Sequence, residues 1–132
     1  MHITTRSLLA VKTLMVCAAE PDRLFRKHEI AALLNASENH LAQVIHLLAR
    51  KGFLATQRGR AGGMRLARQA STITVGEVLR GFEADLPLLG EGCNGSLAGA
   101  FRRAEEAFYR QLDGLTVSDL LVSSQPLKFA AE

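Results

Sequence analysis

Residues 57–66 read QRGRAGGMRL, with three glycines and three arginines in ten positions. Glycine opens backbone conformations closed to other residues and allows close approach to a surface. Arginine supplies a charge suited to phosphates. Two architectures need both together: a loop that cradles the phosphates of a nucleotide, or the tip of a β-hairpin aimed at nucleic acid. The flanks separate them. FLATQR (53–58) alternates and holds β-compatible residues, and MRLARQ (64–69) returns as a second strand. A nucleotide loop would open a helix directly after its glycines, with a Gly-Lys-Ser/Thr or G-x-G-x-x-G arrangement. Here the spacing is G-x-x-G-G and no helix opens. The stretch reads as a wing that offers Arg58, Arg60 and Arg65 to the phosphates or the minor groove of a duplex.

Helical segments precede the wing. Residues 6–19 carry Leu8, Val11, Leu14, Met15 and Ala18 at helical spacing, and Pro21 marks the end. Residues 27–35 place Ile30, Ala31 and Leu34 on one face. Ser37 then serves as N-cap for a helix with the stripe Leu41, Val44, Ile45 and Leu48, and Gly52 stands at the left-handed position past its end. The two short helices form a helix-turn-helix. Its second helix leaves Glu38, Asn39, His40, Gln43, His46 and Arg50 outward. Asn and Gln can bond an adenine edge bidentately, and Arg can do the same to guanine. Ser37 and the first-turn N–H groups can meet a phosphate. An ordinary amphipathic helix has the same pattern; the wing that follows gives it a direction.

The whole-chain numbers agree. At 132 residues the chain is one domain's length. Its 48% hydrophobic content, with no Trp, gives an aliphatic core that favours helices. The net charge of +3 is unevenly spread: residues 1–68 hold eleven Lys/Arg against four Asp/Glu, and residues 69–132 hold five against nine. From Arg50 to Arg68 there are six basic residues and no acid. Such a half-chain suits a polyanion. No apolar run approaches the roughly 18 residues of a membrane span, and the N-terminus lacks the pattern of a signal peptide. Two cysteines, Cys17 and Cys93, make no disulfide framework. A cytoplasmic protein without a membrane partner is expected. No set of nucleophile and base, paired carboxylates or metal ligands stands out, so no enzyme and no catalytic residue is expected.

In the second half, Thr74 to Glu77 and Thr116 to Asp119 have the form of capping boxes. Between them Leu97, Ala100, Phe101, Ala104, Ala107, Phe108 and Leu112 follow helical spacing, with Arg102, Arg103, Glu105 and Glu106 on the other face. That stripe can be buried against the chain's own first helix or along a second copy.

These segments together resemble the winged-helix repressors of the IscR/NsrR type, the iron-sulfur and nitric-oxide-responsive regulators of bacteria. The resemblance runs from MHITTRSLLAVKTLMVCA through NHLAQVIHLLARKGFLATQRGRAGGMRLAR to LAGAFRRAEEAFYRQLDGLTVSDLL, and leans towards the nitric-oxide-sensing branch. It implies a mainly α fold with a small β-wing and a long dimerisation helix. The expected layout is a winged helix-turn-helix over 1–83, a sensor-loop remnant over 84–96, and a dimerisation helix with C-terminal tail over 97–132. It also implies a homodimer on a palindromic double-stranded DNA operator. Contacts to DNA would come from Ser37, Asn39, His40, Gln43, Arg50, Arg58, Arg60 and Arg65, and the dimer seam from Leu97, Phe101, Ala104, Phe108 and Leu112.

The sensor departs from that pattern. Cluster-bearing members place three cysteines before the long helix; the last position falls here on Gly95, and only Cys93 lies nearby. The positions of a further ligand in the first helix and of a histidine after the last cysteine fall on Leu8 and Ala98. One thiolate cannot hold an iron-sulfur cluster in the usual all-cysteine arrangement. An iron-sulfur cluster is therefore implied by the resemblance but not expected from the residues, and Cys93 is the one candidate ligand. The alternatives are a regulator without a cluster, whose signal is oxidation of the Cys93 thiol or an unidentified ligand, and an interaction protein that does not bind DNA. Cys17 is expected to be buried, and no metal is assigned to the histidines.

Overall fold

The computed structural model describes residues 3–83, 92 and 94–122. Along the chain run α1 (Thr5–Ala19), α2 (Lys27–Leu34), α3 (Glu38–Arg50), β1 (Leu54–Gln57), β2 (Gly63–Leu66), a 3-10 turn (Ala70–Thr72), α4 (Val75–Glu83), α5 (Gly95–Asp113) and α6 (Val117–Leu121). The fold is mainly helical, with the two-stranded wing expected from the sequence.

Helix α1 is the central element and packs against α2, α3, α4, α6 and β2. It buries Leu9, Ala10, Leu14, Val16, Cys17 and Ala18, together with the polar Ser7 and Thr13. Of the stripe expected from the sequence, Leu14 and Ala18 are buried, but the rest lies off the centre of the inward face. Leu8, expected in the buried stripe, is 47% exposed, and Val11 and Met15 are half-buried. The true inward face contains Thr13, which a polarity pattern places outside. Its hydroxyl donates to the Leu9 carbonyl at 2.7 Å, so its burial leaves no polar atom unsatisfied.

The helix-turn-helix is set by its ends. Asn35 takes the left-handed conformation (φ 52°) that terminates α2. Ser37 caps α3, its side chain accepting from the His40 N–H at 3.1 Å. At the other end Gly52 has φ 82°, the Gly52 N–H reaches the Ala49 carbonyl, and the Phe53 N–H reaches that of Leu48. This pair of bonds is the Schellman closure, which satisfies carbonyls the helix would leave open. Between these stops Leu41, Val44, Ile45 and Leu48 are buried, each contributing about 1.5–3 kcal/mol of hydrophobic stabilisation.

The wing pairs Leu54 with Leu66 through to Gln57 with Gly63, antiparallel. Phe25 adds a bridge to Met64 through two backbone bonds, 2.9 and 2.8 Å, fastening the wing to the loop before α2. The glycines where its turn enters the second strand have a steric reason. A Cβ at Gly62 would sit 2.2 Å from the Gln57 carbonyl oxygen, and one at Gly63 would sit 2.6 Å from that of Phe25.

Both expected capping boxes form. Glu77 and Thr74 exchange backbone and side-chain bonds at 3.0 and 3.1 Å, and Thr116 and Asp119 do so at 2.9 and 3.0 Å. Glu83, at the end of α4, is buried and ties α4 to the start of α1. Its carboxylate accepts from the Thr4 N–H, the Thr4 hydroxyl and the Ser7 hydroxyl, the last at 2.7 Å. Burial by itself raises this carboxyl's pKa; the hydrogen bonds from Ser7 and Thr4 outweigh it, and the net position lies below the ordinary value.

Helix α5 lies along α4. Gly76 permits the contact, since a Cβ there would fall 2.0 Å from Asp113 Oδ1. Arg80 of α4 lies over the Tyr109 ring, and its hydrogen bonds to Glu106 and Asp113 keep its pKa well above the ordinary arginine value. Tyr109 packs with Val75 and Leu79, joined by Phe108, Leu112 and Leu115. The sequence stripe of α5 thus divides. Leu112 turns towards its own α4, whereas Leu97 (60% exposed), Ala100, Phe101 (45%), Ala104 and Ala107 face outward, with Phe108 half-buried between the two. Against the outer-face assignment, Glu105 is half-buried and Glu106 pairs with Arg80. The inward side of α5 was missed because it is built from Ala98, Tyr109 and ion pairs rather than from aliphatic residues.

Candidate nucleic-acid interface

With its apolar stripe committed to the core, α3 presents Asn39, Gln43, His46 and Arg50 exposed on the opposite side. Successive turns bring these side chains onto one surface. Their amide, imidazole and guanidinium groups are donors and acceptors suited to base edges. The remaining two sequence candidates on this helix lie at its edge. Ser37 is exposed at the N-cap, and half-buried His40 lines a small recess with Thr5, Leu8 and Lys12 of α1. The structure therefore gathers Asn39, Gln43 and Arg50 and sets His40 on the α1 side.

Arg58 and Arg60 are exposed at the wing tip. Arg65 is also exposed, but it pairs with Ala55 and so projects from the other face of the ribbon than the Thr56–Met64 pair. Between wing and α3 lies an open cleft of about 730 Å³, whose lining includes Thr56, Arg58, Met64, Ala42, Ile45 and His46. Arg26, Lys27 and His28, from the start of α2, complete it. The sequence reading did not assign these three. The signal was present as a basic triplet, but only the fold brings residues 26–28 beside residues 56–59.

The charge distribution is selective. Among the described residues the ion pairs join Arg23 to Glu20 and Glu29, Arg68 to Glu77, and Arg80 to Glu106 and Asp113. Arg68 belongs to the acid-free run, yet its hydrogen bond to Glu77 raises its pKa and holds that carboxyl below the ordinary range. It is a brace for α4. Arg50, Arg58, Arg60 and Arg65 enter none of these pairs. The surface that Arg50, Arg58 and Arg60 form with α3 is cationic and open, and Arg65 adds charge on the other face of the ribbon.

The comparisons with known proteins follow the same line. The family whose model matches residues 3–123 is Rrf2, described as an iron-dependent transcriptional regulator. Protein aau3 of Rhizobium meliloti (strain 1021) is 37% identical over 98% of this chain and 90% of its own length. Among solved structures, the global cysteine regulator CymR of B. subtilis superposes with a TM-score of 0.79 at 24% identity, covering 95% of this chain and 99% of that one. IscR of T. potens superposes with a TM-score of 0.80 at 23% identity, covering 100% and 94%.

The family description raises the question of iron, and the chain has fewer cysteines than an all-cysteine cluster needs. The whole chain has two cysteines. Cys17 is fully buried in α1, and burial pushes its thiol up to about 12, away from the thiolate a metal needs. Cys93 lies outside the described residues. Among the described residues no group of three or more His, Cys, Asp or Glu side chains is placed to hold a metal ion. No helix of the described residues is long and apolar enough to cross a membrane. With the family model matching residues 3–123 of the 132 and the helix-wing surface in place, the chain belongs to the Rrf2 family and is a DNA-binding transcription regulator, not an enzyme.

Proposed function

We propose that the protein is a homodimeric, cytoplasmic repressor that binds a palindromic operator, and that it responds to nitric oxide or redox stress without an iron-sulfur cluster. The observation that carries this reading is the pairing of two open faces: a cationic helix-wing surface on one side and the apolar face of α5 on the other. A two-fold axis along α5 would present two recognition helices, and an operator with two-fold symmetry answers it. Residues 1–83 form the winged helix-turn-helix, 84–96 the sensor-loop remnant and 97–132 the dimerisation helix and tail. Asn39, Gln43 and Arg50 read bases. Ser37, His40, Arg58, Arg60 and Arg65 hold phosphates or the minor groove. Leu97, Phe101, Ala104 and Phe108 belong to the seam, whereas Leu112, also expected there from the sequence, packs against α4 of its own protomer.

The signal in this reading is chemistry at the Cys93 thiol: a mixed disulfide, an S-nitrosothiol or a Cys93–Cys93 bridge between protomers. The support is the second thiol's isolation, since Cys17 is buried and resists ionisation. The test joins sedimentation with duplex binding across a salt series and an ultraviolet-visible spectrum of protein purified without oxygen. A dimer that binds duplex with a steep salt dependence and shows no iron-sulfur absorption is expected. A salt-independent monomer defeats the reading, and visible cluster absorption defeats its sensor part.

A further inference from the structure

The cleft between α3 and the wing carries a further assignment, which rests on the DNA-binding reading above. If α3 lies in a major groove while the wing reaches the neighbouring minor groove, the sugar-phosphate strand dividing the two grooves must pass between them. The space between them is the cleft of about 730 Å³, and α2 forms its third wall. Basic residues line it from both sides, Arg26, Lys27 and His28 from the start of α2 and Arg58 from the wing, whereas Glu38 is the one carboxylate-bearing lining residue among the described residues. Lys27 is exposed, and neither it nor Arg26 nor Arg58 enters an ion pair among the described residues. The Arg26 guanidinium donates to the Gly59 carbonyl at 3.4 Å, which ties the start of α2 to the wing tip.

We propose that this cleft is a phosphodiester channel in which the dividing strand is gripped by Lys27 and His28 on one side and Arg58 on the other. The start of α2 is then a third DNA-contacting element beside the recognition helix and the wing. Glu38 opposes the strand and limits its affinity. The occupant is a phosphodiester of duplex DNA, since the lining joins a surface that also offers base-reading side chains.

The experiment uses the full chain and an operator selected with it from a random duplex pool. Single phosphates are replaced one at a time by uncharged methylphosphonates. Lys27→Gln should lower affinity about threefold to tenfold, equally for selected and mixed-sequence duplexes. It should also reduce the slope of log affinity against log salt by about 0.9. Glu38→Gln should raise affinity for both duplexes. One or two methylphosphonate positions should weaken the wild type but leave Lys27→Gln indifferent, because the variant has already lost that contact. Additive losses at every phosphate, or an unchanged salt slope in Lys27→Gln, overturn the channel while leaving the helix-wing reading intact. If the wild type binds no duplex, the DNA-binding reading itself falls. Lys27 is exposed at the first position of α2, so a circular dichroism melt matching the wild type is expected and separates loss of contact from loss of fold.

Discussion

Helices α3 and α5 are both amphipathic, yet they face the molecule in opposite senses. Helix α3 hides Leu41, Val44, Ile45 and Leu48 and shows Asn39, Gln43, His46 and Arg50. Helix α5 shows Leu97, Phe101 and Ala104 while its inward side holds Tyr109, Glu106 and Asp113 against Arg80. The difference lies in what each leaves for a partner. Exposed hydrogen-bonding groups beside unpaired arginines suit a hydrated polyanion. An exposed apolar stripe of Leu and Phe between alanines suits another protein surface, where small residues allow close approach. Sequence periodicity alone treats the two helices alike, because it reports a stripe without saying who covers it.

The sharpest way to break the comparison is to put a charge on the outward face of α5. Phe101 is 45% exposed within the protomer, so Phe101→Asp should leave the monomer folded. In a seam the same charge would be buried without a partner, a cost of several kcal/mol. Sedimentation should show monomers, and operator affinity should fall by about 10²-fold or more as the two half-sites lose their linkage. A mutant that remains a dimer places the seam elsewhere. Phe108 is a less clean probe because it also meets the Tyr109 ring edge-on at 5.4 Å.

On α3 the expected effects are smaller and local. Asn39→Ala and Gln43→Ala should each relax discrimination at particular base pairs, by roughly 1–3 kcal/mol against the preferred base. Binding to mixed-sequence duplex should change little. Competition titrations with single-base variants of a selected operator would measure this. Unchanged selectivity in both mutants would leave α3 without its reading role.

How far the sequence carried can be judged from these same elements. The helix-turn-helix and wing were legible because their signals are local: Ser37 at a cap, Gly52 at a left-handed stop, and Gly62 in a turn where a Cβ would strike the Gln57 carbonyl. Only part of the inward face of α1, Leu14 and Ala18, was legible, since buried Ser7 and Thr13 are polar and find their partners only in the fold. The same limit hid α5's contact with α4, where Gly76 makes room for Asp113 and Arg80 bridges two acids from another helix. For the candidate site, the outward residues of α3 and the wing arginines were legible in the sequence. Residues 26–28 were not, because no sequence pattern brings them to residues 56–59.

A gentler test touches the wing alone. Arg60 is exposed at the tip and has no ion pair among the described residues, so Arg60→Ala should disturb neither fold nor dimer. It should weaken binding to all duplexes by similar factors and flatten the salt slope by about 0.9, the share of one phosphate. A sequence-dependent loss would instead give Arg60 a base contact and shift part of the reading from α3 to the wing.

The smallest expected effect is at Cys93, where the resemblance to cluster-bearing regulators and the residues disagree. A cluster-dependent regulator changes its DNA affinity when the cluster is destroyed. With two cysteines in the chain and one of them buried in α1, the metal-free protein should already bind its operator. Cys93→Ser should then bind with wild-type affinity under reducing conditions. The two proteins should part only under peroxide or a nitric-oxide donor, with the wild type losing affinity as its thiol is modified and the serine variant holding steady. An oxidant effect that persists in Cys93→Ser would move the switch to Cys17, whose exposure to reagent would require local opening of α1. If neither protein responded, the comparison between α3 and α5 would stand unchanged. The regulator would then be constitutive, or its signal would be a ligand rather than an oxidant.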